Sequence, residues 1–411
     1  MSTTEWMARL EGVLRPALTR LPPAAAVRLY ARGRRTFLRS FAGSVPSKTF
    51  APQGFERVLW GLRFQSPIFN AAGMFKMGEG YDVVARQGAG AYLAGTTTAR
   101  PREGNRRCGV AQPFAPYPTS GAASNWLGLP NPGHRRVAER LQGLERYPGC
   151  PIGASVAADP DPSLDEEQKL ESLVAGMRLY DQAGIDFLEM NESCPNTEDS
   201  RAEDSNNKDS KNKDSNNKDS ASAGLDETLV QRLAYVREHF LERRSRALPV
   251  VVKFSCDTEV EQVASLVDQL LDFGFDGVNF GNTSTAYPRI RPQILAAERP
   301  LYDYFVRVFA GGVSGRPLKA LSLALTDAAS AHLMSRDVPH EFHVWRTGGV
   351  EEAGDVIASE QAGIAISQWY SGYFESFAKH GHDLYRQLYH ALELHDFGET
   401  GTVEVMTSNG D

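Results

Sequence analysis

The chain has 411 residues, 44 Lys and Arg against 51 Asp and Glu, a net charge of −7 and 41% hydrophobic residues. That composition excludes a wholly disordered, collagenous or polytopic membrane chain, and the length suits one large barrel with extensions. The charge is split: residues 1–50 carry nine basic and two acidic side chains, so this foot is +7 and the remainder −14, a distribution that argues against a nucleic-acid partner.

The foot is expected to be helical and to span residues 1–48. Trp6, Met7, Leu10, Val13, Leu14, Ala17, Leu18 and Leu21 recur at helical spacing. Pro22 and Pro23 interrupt them, and an arginine-rich helix is predicted over roughly residues 24–40. Charges run through the first twenty residues, so the segment does not read as a secretory signal, and no stretch of the chain reads as a membrane-spanning helix. Arginines opposite Leu, Trp and Phe suit an anionic membrane surface. A cap packed on the main domain is the competing reading, and the two are compatible. The four cysteines (Cys108, Cys150, Cys194, Cys256) form no CxxC pair, which argues against zinc or a disulfide framework and fits a reducing cytosol.

From residue 66, apolar β-branched runs alternate with helical stretches. Strands are predicted at 66–73, 91–98, 151–158, 187–193, 249–255, 277–283, 340–347 and 363–370. Eight strands in this alternation predict an α/β fold, a (β/α)8 TIM barrel with an N-terminal helical extension, over residues 49–395. Small or polar residues close the runs: Ala72-Gly73, Thr96, Ser155, Asn191, Lys253, Asn282-Thr283, Gly348-Gly349 and Tyr370-Ser371. Active sites of such barrels form at the C-terminal ends of the strands.

Residues 198–223 repeat Asn, Lys, Asp and Ser, with Asp204, Asp209, Asp214 and Asp219 in register and no large apolar residue. They are expected to be a disordered insertion in the barrel. Calcium binding by the aspartates lacks the glycine and closing glutamate of an EF-hand loop. Residues 396–411 form a C-terminal tail.

The string Asn191-Glu192-Ser193-Cys194-Pro195-Asn196-Thr197 follows the fourth strand. Carboxamides both donate and accept, so paired asparagines suit a cyclic amide or urea edge. Cys194 could be a nucleophile, a base or a small buried hydrophobe. Further asparagines lie in Ser124-Asn125-Trp126-Leu127-Gly128-Leu129 and Gly281-Asn282-Thr283, Lys76 follows Ala71-Ala72-Gly73, and no metal-ligand cluster or triad histidine is present. Glycine turns at Gly311-Gly312 and Gly348-Gly349, with Tyr370-Ser371 after the eighth strand, suit a phosphate-bearing cofactor.

AAGMFKMGEG, GTTTARPREGN, SNWLGLPNPG, NESCPNT, PVVVKFS, DGVNFGNTS, GGVSGRPLKALS and TGGV with SQWYSG occur in one order between about residues 50 and 390. In this the chain resembles the dihydroorotate dehydrogenases, flavin enzymes of pyrimidine biosynthesis. The resemblance implies FMN, with Ala72, Gly73, Thr96, Ser155, Asn191 and Lys253 at its ring and ribityl chain. It places Gly281, Gly312, Gly348, Gly349, Tyr370 and Ser371 toward the rest of the cofactor and its phosphate. It also implies that Lys76, Asn125 to Leu129 (with Trp126, Leu127 and Gly128), Asn191, Asn196, Asn282 and Thr283 bind dihydroorotate, with Cys194 as the catalytic base and Lys76 beside it.

Cys194 and GLPN resemble the family's soluble branch, whereas the N-terminal segment resembles the quinone-reducing, membrane-associated branch. A quinone acceptor and a peripheral place on the cytoplasmic side of the membrane are therefore expected. Fumarate or an electron-transfer partner are the alternatives for the acceptor. A relative acting on another dihydropyrimidine, or a catalytically silent membrane-peripheral barrel, are the alternatives for the function. Three residues depart from the family pattern: Phe75 stands where Asp is usual, Glu192 replaces an apolar residue, and Arg346 replaces a glycine near the expected phosphate turn.

Overall fold

A computed structural model describes residues 2–192 and 225–395. The predicted insertion at 198–223 and the predicted tail at 396–411 lie outside the described residues.

Eight parallel strands make one ring: β1 (Ile68–Asn70), β2 (Tyr92–Thr97), β3 (Ile152–Val156), β4 (Phe187–Asn191), β5 (Val250–Phe254), β6 (Gly277–Phe280), β7 (His343–Thr347) and β8 (Ile366–Trp369). They bond in the order β1-β8-β7-β6-β5-β4-β3-β2. The seam between β1 and β2 is closed by the Gly90 N–H on the Ile68 carbonyl (3.0 Å) and by Asn70 Nδ2 on the Leu93 carbonyl (2.8 Å). Each predicted run contains one of these strands. The uninterrupted apolar runs, such as Val250-Val251-Val252, follow from a parallel sheet covered on both faces; all three valines are buried.

Helices return the chain between strands. Glu166–Gln182, between β3 and β4, begins with a reciprocal cap: the Gln168 N–H donates to Asp165 Oδ1 (2.8 Å), and the Asp165 N–H donates to Gln168 Oε1 (3.2 Å). Two additions that the sequence did not suggest close the barrel ends. A hairpin of Arg57–Leu59 and Leu62–Phe64 plugs the N-terminal end, where Trp60 meets Trp345 (centroids 5.7 Å apart) and Phe64 meets Phe187 (6.0 Å). Over the C-terminal end lies a three-stranded antiparallel sheet of Phe114–Tyr117, Ala122–Asn125 and Gly312–Gly315. The segment read as a glycine turn at Gly311-Gly312 is therefore the start of a strand, with Gly312 paired to Asn125.

The extension is two helices, α1 (Thr3–Leu18) and α2 (Pro23–Phe41). Ser2 caps α1, accepting from the Glu5 N–H (3.2 Å), and Pro23 starts α2 at a position where its missing N–H costs nothing. The buried face of α2 joins a second apolar cluster, Ala26, Val27 and Ala31 with Tyr302, Phe305 and Phe309. On α1, Trp6 (53% exposed), Leu10, Val13 (77%) and Leu14 face away from the protein, while Met7, Ala8 and Leu18 face the barrel. The apolar positions read as one stripe are thus two faces. No helix among the described residues is long and apolar enough to cross a membrane.

Candidate active site and the adjoining apolar cavity

The C-terminal ends of the strands enclose a cavity lined by Ala71, Ala72, Gly73, Lys76, Thr96, Asn125, Leu127, Gly128, Leu129, Asn191, Lys253, Asn282, Thr283, Ser314, Thr347 and Tyr370. Register explains much of this convergence. Asn191 pairs with Lys253 across β4 and β5, and the neighbouring β5–β6 pairing sets Lys253 beside Asn279. One hydrogen-bonded row runs beneath the cavity. Ser155 Oγ and Thr96 Oγ1 are 2.9 Å apart, Asn191 Nδ2 donates to Thr96 Oγ1 (3.0 Å), and Asn282 Nδ2 donates to Asn191 Oδ1 (3.4 Å). The amide orientations of Asn191 and Asn282 are thereby tied to each other.

Several predicted residues take other positions. Ser155 lies below the cavity in the barrel interior, fully buried. Trp126 is turned from the cavity into the second apolar cluster, with Phe309 at 6.5 Å and the Arg107 guanidinium 4.8 Å from its ring centroid. Gly281, Gly312, Gly348 and Gly349 act through close backbone approach. A Cβ on Gly281 (φ +120°) would lie 1.4 Å from the Thr347 carbonyl oxygen. A Cβ on Gly349 (φ +73°) would lie 2.5 Å from the Lys319 backbone, so only glycine lets β7 end against the start of helix Lys319–Met334. Cys194 and Asn196 lie outside the described residues.

The three departures each have a physical account. Phe75 is buried and stacks on Phe41 of α2 (5.9 Å, 25°), near Tyr92 (5.5 Å), and its carbonyl accepts from the Gly95 N–H (3.0 Å). Glu192, half-buried, accepts from Arg232 Nε at 2.8 Å, which ties the end of β4 to helix Glu227–His239. Arg346 belongs to β7 rather than to a turn. Its guanidinium is spent on Ser322 Oγ (3.0 Å), Ser359 Oγ (2.9 Å) and the Lys319 and Asp355 carbonyls. It clamps two helices to the outside of the strand, so its charge is held away from the expected phosphate turn. Cys256, beneath Gly348, is buried and its thiol is pushed up to about 12 by desolvation, which makes it a packing residue.

The chemistry of the lining suits a flat ring with polar edges. Ala71, Ala72 and Gly73 give a wall without side-chain bulk, and the amides, hydroxyls and the Lys253 ammonium supply polar edges. Helix Ser371–His380 begins at Tyr370 without a side-chain cap, and the first-turn N–H groups of a helix suit an anion.

Tyr370 is also the wall of a second cavity of about 310 Å³, within the roughly 300–1,000 Å³ usual for small-ligand sites. It lies between the extension and the barrel. Its lining includes Met7, Leu18, Leu29, Phe37, Phe114, Phe374 and Phe377, with Glu11, Arg15 and Glu375 at its polar edge. At the common wall, Arg34 donates to Tyr370 Oη through Nε (3.3 Å) and Nη2 (3.2 Å), and to the Gly73 carbonyl (3.4 Å). Sequence reasoning missed Arg34 because nothing distinguishes it among the arginines of α2. It also missed Glu189, Asn279 and Gln368, which form a buried polar layer under the site, and Thr347, which joins that layer to the cavity wall; a carboxylate inside the apolar strand Phe-Leu-Glu-Met-Asn was the available signal.

The family described as dihydroorotate dehydrogenase matches residues 55–392. The "Dihydroorotate dehydrogenase (quinone)" of Alkalilimnicola ehrlichii is 28% identical over 317 residues, covering 77% of this chain and 81% of its own. The protein of the same name from Methylococcus capsulatus is 28% identical over 366 residues, covering 88% and 94%. Among solved structures, DHODH from Eimeria tenella in complex with ferulenol superposes with a TM-score of 0.67 at 19% identity, covering 91% of this chain and 93% of that one.

Proposed function

Since this chain belongs to the dihydroorotate dehydrogenase family, we propose that it oxidises dihydroorotate to orotate, with FMN as resident cofactor and a quinone as electron acceptor. The observation that carries the reading is the pair of cavities sharing Tyr370, one polar and amide-lined, the other apolar and opening beneath the extension.

In this reading FMN supplies a two-electron hydride acceptor. Ala72, Gly73, Thr96, Asn191 and Lys253 would hold its ring and ribityl chain, with Ser155 supporting Thr96 from below. Gly281, Gly312, Gly348, Gly349, Tyr370 and Ser371 would hold the remainder. Asn125, Asn191, Asn282 and Asn196 orient the substrate's cyclic amide, Thr283 and the Leu127–Leu129 turn close over it, and Lys76 faces its carboxylate. Cys194 removes the proton from the carbon next to the carbonyl. The connected amides of Asn191 and Asn282 fix the ring plane before the proton and hydride leave, which is where positioning lowers the barrier.

The quinone part is supported by the apolar cavity, by the names of the relatives, and by Arg34, a cation at the common wall that favours the negative charge arising as a quinone is reduced. A peripheral membrane location is supported by the bare apolar face of α1 among arginines. The test is steady-state oxidation of dihydroorotate with a short-chain quinone, fumarate or an electron-accepting dye. The expected result is quinone turnover well above fumarate turnover. Fumarate turnover equal to or above that with quinone would reject the acceptor assignment.

A further inference from the structure

We propose that Glu189 is a positioning residue: it anchors Lys253, partly neutralises its charge beside the cofactor, and so sets the reduction potential of the bound flavin. The proposal rests on the FMN reading above.

Glu189 lies in the middle of β4 with 0% exposure, and its carboxylate accepts four donors from four other strands. Ser155 Oγ (3.1 Å) and Lys253 Nζ (3.5 Å) reach Oε1, while Asn279 Nδ2 and Gln368 Nε2 (2.9 Å each) reach Oε2. Gln368 Oε1 also receives Lys253 Nζ (3.3 Å) and Thr347 Oγ1 (2.9 Å), and Thr347 Oγ1 lies 3.0 Å from Asn279 Oδ1. The carboxylate is therefore the centre of the polar layer.

Packing does not explain the layer. Barrel interiors are ordinarily filled by bulky branched residues, and apolar side chains of equal volume commonly match or exceed the stability of a buried ion pair. A buried pair retained directly under a cavity points to use of its charges. Lys253 lines the cavity, whereas Glu189 stands behind it. Reduction adds negative charge to a flavin; a neighbouring ammonium favours this, and a carboxylate behind that ammonium opposes it. Ser155, bonded to Glu189, also continues through Thr96 to Asn191. The anchor of the lysine is thus the anchor of the row beneath the substrate amides as well.

The experiment uses full-length protein loaded with FMN, wild type and Glu189→Gln, equilibrated anaerobically with a reference dye and a chemical reductant in the absence of dihydroorotate. In E189Q the ratio of reduced to oxidised flavin at fixed dye poise should rise about tenfold, or about 30 mV for a two-electron couple. FMN affinity, titrated into apoprotein, should fall severalfold as Lys253 loses its anchor. Glu189→Asp, which draws the carboxylate back by one methylene, should move the ratio in the same direction by less, and it decides the matter if E189Q does not fold. A wild-type ratio in FMN-loaded variants, or a shift toward oxidised flavin, overturns the proposal. Wild-type protein that binds no FMN overturns the reading beneath it, a result distinct from variants that bind FMN and match wild type.

Discussion

At the scale of single residues, Cys194 carries the sharpest chemical prediction. A thiol with an ordinary pKa near 8.5 is only a few per cent thiolate at neutral pH, so a cysteine base requires dihydroorotate-dependent flavin reduction to rise toward alkaline pH. Cys194→Ala should lower that rate by more than about tenfold; a smaller loss would remove Cys194 from the base position. The other cysteines do not compete where the structure describes them: Cys150 and Cys256 are buried and raised by desolvation, and exposed Cys108 lies outside the lining of both cavities. The three departures from the family pattern show why a motif match under-describes a site. Phe75, Glu192 and Arg346 each make a contact outside their own element, with Phe41, Arg232 and Ser359 respectively. No spacing rule in the sequence exposes such partners.

At the scale of elements, the extension is built into the barrel unequally. Helix α1 touches it chiefly along Ser371–His380, with the Glu5 carboxylate accepting from the His382 N–H (3.1 Å). Helix α2 ends in Phe41, fully buried against Phe377 (5.1 Å), Tyr373 (6.1 Å) and Phe75. Removing residues 1–21 should therefore abolish quinone turnover while flavin reduction by dihydroorotate persists. Removing residues 1–45 should impair both, because Phe75 and the Lys76 loop lose their apolar floor. Phe41→Ala alone should cost about 3–5 kcal/mol in denaturant unfolding, and a cost below about 1 kcal/mol would show that α2 does not support that loop. The eight barrel strands were legible because each pairs an apolar run with a small or polar end. The hairpin at 57–64 and the sheet over the site were not, since strands of three or four residues containing Pro116, Gly312 and Gly315 carry too little alternation to register. Of the site, the residues at strand ends could be read from their type and place. Arg34 could not, and of Glu189 only its oddity inside an apolar strand was visible, because the partners of both depend on which strands and helices meet.

At the scale of the whole molecule, the split between a basic foot and an acidic trunk acquires a structural counterpart: α1 and α2 bring Arg15 and Arg34 to the cavity that abuts Tyr370 and leave Trp6, Leu10, Val13 and Leu14 bare on the outside. Stability carries a separate acid signature. His134 is buried with Nδ1 2.9 Å from Thr97 Oγ1, and desolvation holds its pKa down to about 3, against 6.5 when unfolded. The unfolded chain then binds the extra proton between those values. His134 therefore has no pH effect above about 6.5 and destabilises progressively as pH falls toward 3, by up to about 1.4 kcal/mol per pH unit. Thermal unfolding from pH 7 to 4 should show a steeper decline in the wild type than in His134→Gln, and parallel curves would contradict this assignment. The central claim, that the polar cavity oxidises dihydroorotate on a bound flavin, is tested most directly by anaerobic mixing of FMN-loaded protein with dihydroorotate. The yellow colour should bleach and return when a short-chain quinone is added. A protein that stays yellow with dihydroorotate, or bleaches only with another dihydropyrimidine, would contradict it.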